Sequence, residues 1–518
     1  MAPVWSQPSS RQSAMAFLPF ACTPAEQAAF DAAVRRLRAM ALCVDFYVRP
    51  VAKRPVARDL GGSALVQPPA DRLVAVEADM AAHIRAALRL DFPQPEFDGA
   101  PPCDLVAAVE ACVAAGPNLP QWRSERVAEA TDVAGSLAAL NSRMVSVVEG
   151  PKRALVCGMN LAFMAAFVDA VEWPDAAIVK RFVYGFPIVG DIPDSGLFRP
   201  VSRPATVPLS AFTPEANRSW AKSLERSLEC GAASASAEVR EGLVELEAVT
   251  HKEASSGYLK GPFSRGQVDK HFGRGAWRGS RRFGVWQGEG DCRKLRAIDN
   301  AKGSDINKTM SMHETIFCMT LFFIVTVASL FSTAARRARC RMPRLLIGLD
   351  DMRAAYRRIP VLSPQFTVFA LWSFVRKAVT YYFLPGHNFG LVSAVTNFNR
   401  FPHLLVAMCR VLFAVPVDHF FDDYVIVDSR DGGTSGQDAG GAGVGARAGG
   451  SGSGAQEAQG DGRRQRRPRP ERGCVASPRR LHRHLLTCGP ALRHHLKQPP
   501  GGQTAQPPFV RRGEPHSR

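Results

Sequence analysis

Two adjacent carboxylates, Asp422 and Asp423, sit between Phe420-Phe421 and Tyr424-Val425-Ile426-Val427. Ionised carboxylates in an apolar sheet are costly unless they are paired or bound to metal. A tight turn between two strands would instead hold them beside divalent cations. A second acidic pair, Asp350-Asp351, closes the apolar run 344–349, which reads as a buried strand, and residues 352–358 then turn helical. Bringing Asp351 beside Asp422 makes a cluster of negative charge that is stable with divalent metal. Mg²⁺ takes hard oxygen ligands from one or two carboxylates and completes its shell with phosphate oxygens and water. Two such ions can activate an attacking hydroxyl and stabilise a departing pyrophosphate.

The elements that must position these groups lie within a chain of 518 residues, long enough for two or three domains. With 46% hydrophobic and 22% charged residues, most of it is of globular composition. The formal charge of +18 favours a polyanionic partner, nucleic acid first and an acidic membrane second. Half of that excess belongs to residues 431–518, which hold 15 Lys and Arg against 6 Asp and Glu. The stretch 431–460 contains 12 glycines, a composition that cannot bury enough apolar surface to offset chain entropy, so residues 429–518 are expected to be a disordered tail. Its Cys474, His482, His484, Cys488, His494 and His495 match no familiar zinc spacing.

The 12 cysteines are scattered singly, without a CxxC pair, and read as reduced intracellular thiols, in nucleus or cytoplasm. The apolar patch 15–20 is too short for a signal peptide. Residues 1–150 read as a helical region of unknown role, a scaffold or adaptor. Thr23, Pro24 and Glu26 form a capping box for a helix over 23–42, and further helical patterns cover 76–90, 103–115 and 124–148. Residues 151–256 form an accessory region that ends in a polar helix over 220–255. The uncharged run 316–332 is near the lower length limit for a membrane span and is followed by Arg336, Arg337, Arg339 and Arg341. Because it lies between segments expected to meet at one site, a buried helix is preferred, with membrane anchoring as the alternative.

Four blocks in order resemble the reverse transcriptase family, in particular its retroelement-type polymerases. Lys294-Leu295-Arg296-Ala297-Ile298-Asp299-Asn300, ending near Asn307, is similar to the fingers block K-x-R-x-I-D-D…N. Residues 351–361 are similar to the first palm block, D-L-K-x-A-Y-x-x-I-P-V. Leu384-Pro385, Phe389-Gly390-Leu391-Val392-Ser393-Ala394-Val395 and Phe398 resemble L-P-F-G-L-x-S-A-P-x-x-F, and Phe420-Phe421-Asp422-Asp423 resembles Y-x-D-D. The resemblance covers about residues 257–428. It implies an α+β right-hand polymerase, with an antiparallel palm sheet and fingers behind a mainly helical N-terminal region.

The same resemblance implies RNA-directed DNA polymerisation with Mg²⁺ or Mn²⁺, deoxynucleoside triphosphates and a primer on an RNA or DNA template. Asp351, Asp422 and Asp423 would be the catalytic metal ligands, and Lys294 and Arg296 would grip the triphosphate. Tyr356 would be the aromatic gate against a ribose 2′-hydroxyl, and Phe389 and Gly390 would lie under the nucleotide. Three departures stand out: Asn300 where a second acidic residue is common, Gly386-His387-Asn388 inserted into the third block, and no thumb or later palm block after Asp428. An inactive retroelement remnant that binds nucleic acid without turnover is therefore the rival expectation.

Overall fold

The computed structural model describes residues 13–17, 20–44, 101–290, 293–316 and 318–430. The helix expected over 76–90 and the Gly/Arg-rich tail lie outside them. The first helix, α1 (Pro24–Met40), begins at the expected capping box. The Glu26 backbone N–H donates to the Thr23 hydroxyl, and the Thr23 N–H donates to the Glu26 carboxylate at 2.8 Å. It is followed by α2 (Cys103–Ala115), α3 (Leu119–Ser136) and α4 (Ala138–Ser146). The single helix expected over 124–148 is thus broken at Leu137, just after Gly135-Ser136, both weaker helix formers than Ala.

Next come α5 (Arg153–Val156), α6 (Leu161–Ala170), α7 (Ile178–Tyr184), β1 (Gly190–Ile192) and β2 (Arg199–Arg203). The polar helix expected over 220–255 is two, α8 (Pro214–Ala233) and α9 (Ala237–Ser255), because Ser236 caps the second by accepting from the Val239 N–H. The remaining elements are β3 (Lys260–Phe263), α10 (Arg265–Phe272), β4 (Ser280–Gln287), β5 (Lys294–Asp299), β6 (Met310–Thr315) and α11 (Phe322–Arg337). Then follow β7 (Leu345–Asp351), β8 (Phe369–Ser373), β9 (Ala378–Phe383), α12 (Val392–Phe413), β10 (Val417–Phe420) and β11 (Asp423–Ser429).

The fold is α+β, with three sheets among the described residues. One has the order β1-β6-β2, a second is the antiparallel β10-β11-β7, and a five-stranded sheet runs β3-β9-β8-β4-β5 with β4 and β8 parallel. Side chains alternate across a strand, so β11 feeds two cores. Tyr424 and Ile426 join the core built by α12 and the N-terminal helices, while Val425 and Val427 join Phe323, Val327 and Phe331 of α11 and Leu105 and Val109 of α2. Buried ion pairs fasten the same layers. Arg123 of α3 meets Asp428 at 2.6 Å, and Arg410 of α12 meets Asp104 at 3.2 Å and Asp418 at 3.3 Å.

Two expectations about burial need correction. The strand β7 is not buried throughout: Ile347 and Leu349 are 57% and 68% exposed, because this edge strand pairs only with β11 and α11 covers β11 instead. The apolar run 316–332 does not form one buried helix either. Its helix starts only at Phe322 and is two-faced, with Phe323, Val327 and Phe331 inside and Leu321, Phe322 and Val325 outside. Among the described residues no single helix is long and apolar enough to cross a membrane; one pair, 150–156 with 161–170, passes that test together but is bent by 68°.

Candidate functional site

The acidic site is built by register. β10 and β11 pair from Val417↔Ile426 to Phe420↔Asp423, which leaves Phe421-Asp422 as the turn; the expected Asp422-Asp423 tip is displaced by one residue. Phe421 takes a φ of 55°, a left-handed conformation that only a tight turn demands of such a residue. On its other edge β11 pairs with β7, and Asp423 lies directly opposite Asp351. Opposed residues of an antiparallel pair project from the same face, so these two carboxylates are neighbours although they are far apart in sequence. Asp422 joins them through its carbonyl oxygen, which accepts from the Met352 N–H at 2.9 Å.

Charge crowds here. Burial raises the Asp351 carboxyl above the usual carboxylate range, and Asp422, Asp423 and Asp350 each push it further. Asp351 and Asp423 are exposed and Asp422 is half-buried, so the cluster opens to solvent. Among the described residues no group of three or more His, Cys, Asp or Glu side chains is arranged to hold a metal ion. The donor set is nevertheless suited to a hard divalent cation, which keeps water and ligand phosphate in its shell and needs only one or two carboxylates.

A second group lies beside the first. Ala354 at φ 55° leads into a single 3₁₀ turn, Ala355–Arg358, in place of the longer helix expected over 352–358. That turn aims the Tyr356 ring between two phenylalanines, stacked on Phe398 at 4.6 Å and tilted against Phe389 at 5.3 Å. Its hydroxyl is pushed up to about 12, by burial first and then by the Asp422 charge. Phe389 and Gly390 are exposed above it. Gly390 has φ +116°, and a Cβ there would come 2.0 Å from the Asp299 carbonyl oxygen, so only glycine lets the two segments close up. The closure is bonded: the Asp299 N–H donates to the Phe389 carbonyl at 3.0 Å, and Asn307 donates to the Gly390 carbonyl at 2.8 Å and accepts from the Val392 N–H.

Lys294 and Arg296 stand on the same face of β5, exposed, with Arg296 donating to Gln287 at 3.1 Å. They lie five and three residues before Asp299, roughly 10–17 Å along the strand from the Phe389-Gly390 junction. The structure thus joins Asp351, Asp422 and Asp423, sets Tyr356 near Asp422 with Phe389 against its ring, packs Gly390 on Asp299, and places Lys294 and Arg296 farther out on the strand that abuts that junction.

Asp299 of the fingers block, Arg357 at an unspecified position of the first palm block, and Arg282 and Glu253 outside the blocks hold this junction. Asp299 is fully buried and accepts from Arg282 at 2.9 Å. Glu253 of α9 accepts from Arg282 at 2.8 Å and from Arg357 at 3.0 Å. Burial would raise Glu253, but the two guanidinium groups outweigh it and hold the carboxylate below its usual range. Arg282, a charge heading the strand sequence Phe283-Gly284-Val285-Trp286, is a signal of this network in the sequence; nothing marks Glu253. The inserted Gly386-His387-Asn388 is buried; His387 is bonded through its carbonyl and its ring, while the Asn388 amide has no hydrogen-bond partner among the described residues. No protein-family model matches the chain, and no curated protein matches it.

Proposed function

We propose that this chain is an RNA-directed DNA polymerase, with the β10-β11-β7 sheet as its palm and the sheet containing β4 and β5 as its fingers. The observation that carries the reading is the register that sets Asp351 opposite Asp423 and beside Asp422. The ordered sequence blocks around it add support, as does the basic charge of the chain.

In the reaction the 3′-oxygen of a primer attacks the α-phosphorus of a deoxynucleoside triphosphate. The new O–P bond forms as the bond to pyrophosphate breaks, and the hydroxyl proton passes to solvent. Divalent magnesium or manganese, held by Asp351, Asp422 and Asp423, would supply charge neutralisation to this site when bound. The chain's own side chains do the rest. Lys294 and Arg296 offer charge-assisted hydrogen bonds to the triphosphate. Phe389 and Gly390 form the floor on which the nucleotide rests. The Tyr356 ring, wedged between Phe398 and Phe389, excludes a 2′-hydroxyl by bulk and so selects deoxynucleotides.

Primer extension on an RNA template with Mg²⁺ tests the reading. The full chain is expected to extend the primer, and Asp422→Asn and Asp351→Asn to reduce extension to background. Extension no greater than that of Asp422→Asn would sink the catalytic reading and leave a nucleic-acid-binding remnant.

A further inference from the structure

The segment Gly386-His387-Asn388 is built into the turn that carries Tyr356. The His387 backbone N–H donates to the Tyr356 carbonyl at 3.2 Å and to the Ile359 carbonyl at 3.1 Å. Its ring is fully buried and bonded at both nitrogens. Nδ1 lies 2.8 Å from the Ile359 carbonyl oxygen, which can only accept, so Nδ1 carries the proton. Nε2 is then bare and accepts from the Asn397 amide at 3.1 Å, and the same amide donates to the Pro187 carbonyl at 2.9 Å. One neutral imidazole therefore links the 355–359 turn to the second turn of α12.

The surroundings leave this segment little freedom. A Cβ on Gly386 would lie 2.2 Å from the Arg357 carbonyl oxygen. Arg357 donates to the His387 carbonyl at 3.1 Å, and its guanidinium lies over the Phe389 ring at 4.8 Å. The Tyr356 ring is thus fixed twice: its backbone hangs on His387, and its face is held by Phe389, two residues farther along, and by Phe398, one residue beyond Asn397.

We propose that His387 is a positioning residue that sets the depth of the Tyr356 gate and thereby the discrimination between deoxyribo- and ribonucleoside triphosphates. This rests on the polymerase reading. Freed from His387 and Asn397, the 355–359 turn relaxes away from α12 and the Tyr356 ring no longer meets the 2′ position. Displacements near 1 Å change selectivity and rate on the order of 100-fold, so a loosened turn is enough.

The experiment is equilibrium binding of dGTP and of GTP to the full chain on a dideoxy-terminated primer–template with Mg²⁺, with melting curves for each variant. Wild type is expected to prefer dGTP by about tenfold or more, and His387→Ala and Asn397→Ala each to lower that ratio severalfold through tighter GTP binding. Asn397→Ala leaves the His387 backbone contacts in place and serves if His387→Ala does not fold. A purely structural role lowers both affinities together; an unchanged ratio in a folded variant overturns the proposal and leaves the polymerase reading standing. A wild-type chain that binds neither nucleotide overturns both.

Discussion

His387 and Asp351 respond to protons with opposite signs, and each gives a measurement. Burial takes His387 from 6.5 down to about 4, against the opposing bond to Ile359. The unfolded chain binds this proton at the higher value, so the stability of the neutral ring is complete above about 6.5 and lost as pH falls towards 4. The loss is roughly 3 kcal/mol. Urea midpoints at pH 7 and pH 4.5 should therefore differ more for wild type than for His387→Gln. Asp351 is raised, by burial and then by its acidic neighbours, so the folded state holds its proton more tightly and stability falls as pH rises through the ordinary carboxylate range. At pH 7 without divalent metal, Asp351→Asn should stabilise the fold by about 1 kcal/mol or less given its exposure, read as a higher melting temperature. It should also abolish any rise on adding Mg²⁺.

At the scale of elements, the acidic hairpin depends on helices far from it in sequence. Arg123 donates to Asp428 and to the carbonyls of Phe413 and Ala414, so α3 holds the end of β11 and the end of α12 together. Arg123→Met would strand the buried Asp428 carboxylate and cost about 3–5 kcal/mol in chemical denaturation. Adding Asp428→Leu should recover much of that loss, since an apolar pair needs no charge partner. The uncovered face of β7 gives the contrary expectation. Ile347→Thr should change stability by no more than about 0.5 kcal/mol, because 57% of that residue is already exposed. A larger loss measured for the isolated chain would mean that something covers β7 in solution.

At the scale of the molecule, the N-terminal helices and the acidic sheet share one core. Phe30 and Leu37 of α1, Val133 of α3 and Leu140 of α4 belong to the cluster that holds Phe398, Tyr424 and Ile426. A fragment starting at residue 151 would expose that surface, and it should show no cooperative unfolding transition where the full chain does. Much of this was legible in sequence where the governing interaction is local. The capping box at Thr23 and Glu26 starts α1, the pattern over 103–115 matches α2, and the strands around Asp351 and Asp422 follow from short apolar runs between turns. Local signals could not say that Leu137 breaks a helix, that β7 keeps one face open, or that Glu253 and Arg357 close around Asp299. The amino-acid order alone fixed which carboxylates were present and that each would end a strand or a turn. Only the tertiary structure decided that Asp351 stands opposite Asp423 and that His387 holds the Tyr356 turn, because pairing between distant strands is set by which faces the whole core can bury.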